Sequence, residues 1–153
     1  MNDGPRRSLL DAMLVATMVA FAATSFLIDR AAALDHVAPD SIDPFGRWLW
    51  WFGKNYDPLV AANPWFLRVM SGISAFVMGP FYLWGARALW RNDPRLRTPA
   101  LVYAVAMTYS MIVHIAVEIW GDMPPPSLLI FALMYAPYCA LPILLVRRAG
   151  LPR

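Results

Sequence analysis

TPALVYAVAMTYSMIVHIAVE, residues 98–118, is an apolar run that ends on the only glutamate of the chain. About 20 such residues are enough for a helix to cross the hydrocarbon core of a bilayer. A carboxylate inside such a run is costly unless it faces a bundle interior or a wet cavity. His114 stands four residues before Glu118, one helical turn away on the same face. The stretch therefore sets two expectations together: a membrane-spanning helix, and a polar site within it.

Three more stretches have the same character, so spans are expected at residues 9–29, 65–88, 99–119 and 127–146. The chain of 153 residues is 59% hydrophobic and only 15% charged, far from the balance of a soluble domain. So little sequence lies outside the spans that residues 1–153 read as one all-α integral membrane domain, a bundle of four transmembrane helices. No separate soluble catalytic domain fits. The lone Cys139 allows no intramolecular disulfide, and one cysteine with two histidines cannot assemble a zinc cluster. Neither a metal nor a cofactor is expected.

The net charge of +3 acquires meaning from its placement. Arg6 and Arg7 precede the first span; Arg87, Arg91, Arg95 and Arg97 crowd the connection between the second and third. Arg147, Arg148 and Arg153 follow the fourth, while the third loop has no basic residue. By the positive-inside rule both termini and the middle connection are cytoplasmic. The basic residues are a topology signal and give no support to nucleic-acid binding. Arg6-Arg7 and an apolar run before Ala31-Ala32-Ala33 resemble a signal peptide, but the run is long for one and Asp29-Arg30 interrupts the approach to the cut site. An uncleaved first span is expected. Lys54 is the only lysine, and the chain ends Leu151-Pro152-Arg153 without a lysine-rich retrieval signal. A bacterial inner membrane is favoured, with the endoplasmic reticulum as the location if the source is eukaryotic.

Local signals fill in the rest. Ser8-Leu9-Leu10-Asp11 has the spacing of a capping box, with Asp in place of Glu. In the first loop, Asp43-Pro44 starts a helix as N-cap and first helical residue. The tryptophans that follow, Trp48, Trp50 and Trp51, suit either an interfacial helix at headgroup level or an ordinary packed loop helix. Asn55-Tyr56-Asp57-Pro58 marks a turn. Gly79-Pro80 is expected to kink span two, and Pro137 and Pro142 to make span four irregular.

With the N-terminus inside, Asp29 and Glu118 lie twenty and nineteen residues from the starts of their spans. At about 1.5 Å per residue both reach the outer third of the membrane, with His114 roughly 6 Å deeper. Arg68, Ser71 and Ser74 fall in the outer half of span two, and Tyr135 and Tyr138 near the middle of span four. These side chains share a depth and can line one cavity. Each also has a plainer role: solvation at the interface for Asp29 and Glu118, a charge partner or headgroup for Arg68, close helix packing for the serines, and packing with a satisfied hydroxyl for the tyrosines.

The order and spacing of several short motifs resemble the EXPERA-domain family, which includes the emopamil-binding sterol isomerases and the sigma-2 receptors. They are Asp29 at the end of span one, Tyr56-Asp57-Pro58-Leu59, Pro64-Trp65-Phe66, and Gly79-Pro80 with Leu83-Trp84. Arg97-Thr98-Pro99-Ala100 with Tyr103, and Tyr135-Ala136-Pro137-Tyr138 with Leu141-Pro142, complete the set. The resemblance covers nearly the whole chain and is closer to the receptor branch. It implies a four-helix membrane fold with cytoplasmic termini and a pocket for sterol-like or amphipathic amine ligands. Asp29 and Asp57 match acidic positions in or beside the receptors' ligand site, whereas the receptors' span-two carboxylate is Ser74 here. Against the isomerases the departures are larger. Asp29 falls where they have a glutamate, Ser25 and Ser71 replace a histidine and a glutamate, and Tyr135 and Tyr138 stand at their Asn and Trp positions.

The expectations for function follow. The first is a membrane protein that binds a sterol-like or other polycyclic isoprenoid or amphipathic ligand within the bilayer. Its ligand-binding set is Asp29, Asp57, Ser71, Ser74, His114, Glu118, Tyr135 and Tyr138. The alternative is a sterol or terpenoid double-bond isomerase in which Asp29 exchanges protons with Glu118 or His114 as catalytic groups. A third is a scaffold whose polar groups only stabilise the bundle. Partners are the lipid ligand and the surrounding membrane lipids, and a homodimer is compatible with the sequence.

Overall fold

A computed structural model describes residues 8–150. Arg6, Arg7 and Arg153, on which part of the topology expectation rests, lie outside the described residues. Among the described residues six helices and a short 3-10 turn, Pro94–Leu96, account for the architecture, and no strand occurs. Four are long and apolar enough to span a membrane: α1 (Leu9–Ala33), α4 (Trp65–Arg91), α5 (Arg97–Trp120) and α6 (Leu128–Gly150). Two short helices, α2 (Pro44–Tyr56) and α3 (Pro58–Ala62), fill the first loop. The expected spans are all present, each extended at one end or both by a few residues.

The helix starts follow the capping chemistry. Ser8 and Asp11 form the capping box reciprocally, Asp11 N–H donating to Ser8 Oγ at 3.1 Å and Ser8 N–H to Asp11 Oδ2 at 3.3 Å. Asp43 caps α2 by accepting from Phe45 N–H and Gly46 N–H. The turn expected at Asn55–Pro58 is tighter than a loop: Asp57 ends α2 and at once caps α3, accepting Val60 N–H at 3.1 Å. Asn63, in the left-handed conformation (φ 42°), ends α3 and donates from Nδ2 to Ala32 O at 3.0 Å. That bond ties the loop to the end of α1. Glycine is required where α2 packs: a Cβ on Gly46 would land on the His36 carbonyl, and one on Gly53 on the Ala61 backbone nitrogen.

Span two does not break at Gly79-Pro80. The helix widens to a π turn over Ser74–Met78 immediately before Gly79 and then resumes as α helix. A proline lacks the N–H that would close an α-helical bond, and a wider local repeat accommodates that loss. α1 contains a second π turn, Ser25–Asp29, without any proline, and the two π turns pack against each other. In α6, by contrast, the helix runs unbroken through Pro137 and Pro142, where irregularity was expected. Each proline there costs one backbone bond while the rest of the ladder holds the helix.

α1 packs mainly on α4, and α5 on α6. One end of the bundle is a continuous apolar core built from Leu14, Met18, Tyr82, Leu89, Leu96 and Leu145 with their neighbours. Tyr82 and Tyr103 share a hydrogen bond there at 3.3 Å between hydroxyls, so neither buried OH is stranded. Outward-facing Phe76, Val77, Val102, Val105, Ile112 and Leu133 leave the helix faces apolar where lipid would lie. Arg148, near the end of α6, grips Asp11 with Nε and, at 2.8 Å, with Nη2, closing α1 against α6.

Two predictions follow. Asp11→Ala removes the acceptor for Ser8 N–H in the capping box and the ion pair with Arg148, and is expected to lower stability by about 1–3 kcal/mol. Asp11→Asn keeps much of the cap and costs less, as thermal unfolding in detergent will show. In the first loop, burial would raise the Asp43 carboxyl. Hydrogen bonds from His36, the Phe45 N–H, Arg30 and the Gly46 N–H outweigh it and hold its pKa below the ordinary value of 3.8. Because the folded value is the lower one, this stabilisation is present above about pH 4 and is lost as pH falls through the depressed value. Protection of the loop-helix amides, taken relative to the intrinsic exchange rate at each pH, is expected to fall below about pH 4 in the wild type. In Asp43→Asn that acid sensitivity disappears.

Candidate functional site

The two π turns place the polar side chains. Each inserts an extra residue in the repeat and so turns a side chain that a regular α helix would aim elsewhere. Ser25 and Ser74, one from each turn, approach within 3.1 Å between hydroxyl oxygens, and Ser74 Oγ donates to Asp29 Oδ2 at 2.6 Å. Ser25 is buried, while Asp29 is half-buried. Asp29 therefore faces a cavity with one oxygen already held by its neighbour.

That cavity has a volume of about 290 Å3 and lies between α1, α4, α5 and α6, with α2 closing part of it. Asp29, Ser71, Ser74, His114, Tyr135 and Tyr138 all line it. Six of the eight residues expected to bind ligand thus line one cavity, each from a helix that carries it to a similar depth. Tyr138 stacks on Phe21 at 4.3 Å between ring centroids, and Tyr135 lies 4.6 Å from the His114 ring. Most of the remaining lining is apolar, with Met70, Met107, Met111 and Met134 adding flexible side chains.

Asp57 and Glu118 lie apart from this lining. Asp57 is buried behind it, accepting Tyr135 OH at 2.8 Å as well as capping α3. Glu118 is fully buried, and its Oε1 lies 3.7 Å from His114 Nε2, too far for a hydrogen bond. Arg68 is a charge partner, reaching Asp35 at 2.5 Å and the Asn63 carbonyl at 2.9 Å, and it does not line the cavity.

The sequence reading missed the contribution of α2. Trp48, Leu49 and Phe52 project into the cavity from the loop helix, and Thr24 does so from α1. Their signal was available: positions 48, 49 and 52 fall on one face of a helix begun by Asp43-Pro44. On sequence alone the tryptophans suit the membrane surface or loop packing; in the structure Trp48 lines the cavity with Leu49 and Phe52. A larger hollow of about 430 Å3 lies at the opposite end, lined by Asn92, Asp93, Arg97 and Arg148 among others. Its Arg148 is already paired with Asp11. The cavity beside Asp29 gathers aromatic, hydroxyl and ionisable groups, which makes it the candidate site.

A small, mostly apolar cavity with a few convergent polar groups fits a hydrophobic ligand carrying one polar end. No curated protein and no solved structure gives a significant match to this chain. A family model described as EXPERA (EXPanded EBP superfamily) matches residues 45–149, from the start of α2 almost to the end of α6. That is well over half of the chain and includes Asp57, both serines of α4, His114, Glu118 and the two tyrosines, so this chain belongs to the EXPERA superfamily.

Proposed function

We propose that the protein binds a sterol-like or other polycyclic isoprenoid, or a comparable amphipathic molecule, within the membrane, with Asp29 as its polar anchor. The observation that carries this reading is the half-buried Asp29 carboxylate at the edge of a mainly apolar cavity. Ser74 occupies one side of the carboxylate, which leaves acceptor sites for a ligand hydroxyl or amine. Tyr138, Trp48, Phe52 and the methionines supply rigid and adaptable contact area for a ring system. Ligand pockets run from roughly 300 to 1,000 Å3. At about 290 Å3 this one holds a compact ring system and leaves an alkyl tail to extend into lipid. Asp57 acts behind the wall: its bond to the Tyr135 hydroxyl orients a ring that faces the ligand.

A second reading, double-bond isomerisation, draws on a separate observation: Asp29 and His114 line the same cavity from different helices. In that chemistry a protonated Asp29 gives its proton to a ring alkene, and His114 takes one from a neighbouring carbon. The double bond moves with no net gain or loss of atoms. Glu118 does not reach the cavity, so its part would be to support the charge on His114. The aromatic rings of Tyr135 and Tyr138 would face the developing carbocation.

The setting proposed for either activity is a bacterial inner membrane with both chain ends cytoplasmic. Among the described residues, Arg87, Arg91, Arg95, Arg97, Arg147 and Arg148 gather at one end of the bundle, which supports that orientation.

Asp29→Asn keeps the size of the side chain and an oxygen for Ser74 to bond. It removes the charge-assisted contact to a ligand, worth about 1.5–3 kcal/mol, or roughly tenfold to a hundredfold in affinity. Lipids co-purified with wild type and Asp29→Asn, identified by mass spectrometry, are expected to differ by a polycyclic isoprenoid present only in the wild type. Identical bulk lipid on both would overturn the Asp29-centred pocket. Incubation of the recovered ligand with wild type in heavy water then separates the two readings. Deuterium on a ring carbon, abolished in His114→Ala, is the isomerase outcome; an unlabelled ligand is the binder outcome.

A further inference from the structure

The polar interior extends past the cavity wall. Asp57, His114 and Glu118 each bring one donor atom to within 4.8 Å of the others. All three are buried, with exposures of 2%, 3% and 0%. They come from the N-cap of α3 and from successive turns of α5, so the fold rather than the local chain assembles them. Among the described residues, neither carboxylate oxygen of Glu118 and not the Nε2 of His114 has a hydrogen-bond partner. Arg30, Arg68 and Arg148 answer Asp43, Asp35 and Asp11 instead.

Two carboxylates facing each other in an apolar interior do not both stay ionised without a compensating cation. A proton shared between them would answer the acids and leave His114 Nε2 without a partner. A divalent cation answers all three side chains at once and cancels both negative charges. We propose that Asp57, His114 and Glu118 form an intramembrane site for a first-row divalent metal ion of the Zn²⁺ type.

The donor set fits that class. One imidazole nitrogen with two carboxylate oxygens is a mixed ligand field that suits zinc and its neighbours, and three protein ligands leave a position open. At metal–ligand distances of about 2.0–2.2 Å, tetrahedral donors sit about 3.3 Å apart. The widest separations here must therefore close by roughly 1.5 Å, a side-chain adjustment. Asp57 retains free lone pairs beyond those used by Val60 N–H and Tyr135 OH, since a carboxylate accepts at about four sites. Those two donors hold it in place as outer partners hold a metal ligand. His114 and Tyr135 also line the cavity, so the metal's open position is reached from there by water or a ligand hydroxyl. Counting cysteines and histidines could not find this set, because two of its three members are carboxylates 61 positions apart, at 57 and 118.

The proposal uses neither Asp29 nor Ser74 and does not depend on the binding reading, but it shares His114 with the isomerase reading, whose base the metal would occupy. The experiment is a Zn²⁺ titration of the full chain, purified in detergent and stripped with chelator, with bound metal counted by mass spectrometry after desalting. The wild type is expected to take up a single equivalent. Glu118→Gln and His114→Ala are each expected to weaken uptake by about tenfold or more, and Tyr135→Phe by a comparable or smaller factor. Asp29→Asn should bind Zn²⁺ as the wild type does, even if it has lost its lipid. Only variants that elute as monodisperse, helical protein are compared. X-ray absorption of the zinc-loaded wild type supplies a readout free of mutagenesis, with an imidazole and oxygens expected in the first shell. Substoichiometric uptake by the wild type, uptake undiminished in both Glu118→Gln and His114→Ala, or a first shell without imidazole would each overturn the site. The first of these outcomes would leave a proton shared by Asp57 and Glu118.

Discussion

Ser74 donates a 2.6 Å hydrogen bond to Asp29 across two helices that have both widened into π turns at the point of contact. A π turn inside a membrane helix must find compensation nearby, because lipid offers no hydrogen bonds to strained or freed backbone groups. Here the compensation is mutual. The two irregular turns pack on each other, the Ser25 and Ser74 hydroxyls meet between them, and the pair hold Asp29 at the cavity edge. Regular α helices through the same residues would rotate Asp29 and the serines relative to one another. The arrangement of the cavity depends on that contact.

The bundle separates its two tasks by depth. Around Met18, Tyr82 and Leu145 the helices pack as an apolar core, and the Asp11–Arg148 pair closes the end beyond. Toward the other end, the same four helices carry the serines, carboxylates, histidine and tyrosines of the cavity and the cluster behind it. The first loop completes that end. Asp43 gathers Arg30 and His36 at the start of α2, and Asn63 ties the end of α3 to Ala32. α2 is held where its Trp48, Leu49 and Phe52 cover the cavity. Packing provides the rigidity at one end of the bundle and hydrogen bonds provide it at the other.

Three buried or half-buried acids therefore have three different environments. Asp29 touches the cavity and is answered by a hydroxyl. Asp57 is sealed behind it and answered by a backbone N–H and a phenol. Glu118 is sealed and answered by no hydrogen bond among the described residues. Of the three, only Asp29 lines the cavity. The unanswered Glu118 lies beside His114, whose ring is common to the cavity wall and the buried cluster. The buried cluster therefore lies directly against the cavity wall.

The amino-acid sequence by itself determined the four spans, the Ser8–Asp11 box, the Asp43 cap and the shared depth of the polar residues. These follow from apolar run length, from capping chemistry and from a fixed rise per residue, all of which are local. Six cavity residues were legible for the same reason: on parallel or antiparallel helices, depth alone puts Asp29, Ser71, Ser74, His114, Tyr135 and Tyr138 at one level. Tertiary structure decided what depth cannot, namely which way each side chain turns and what lies behind it. The π turn in α1 has no proline to announce it, and it is supported by the matching turn in α4. Asp57 and Glu118 share the chemistry of Asp29 but come to rest on the far side of the cavity wall. Their meeting with His114 depends on how α3 docks beside α5, a long-range contact on which the local pattern of charges and apolar residues is silent.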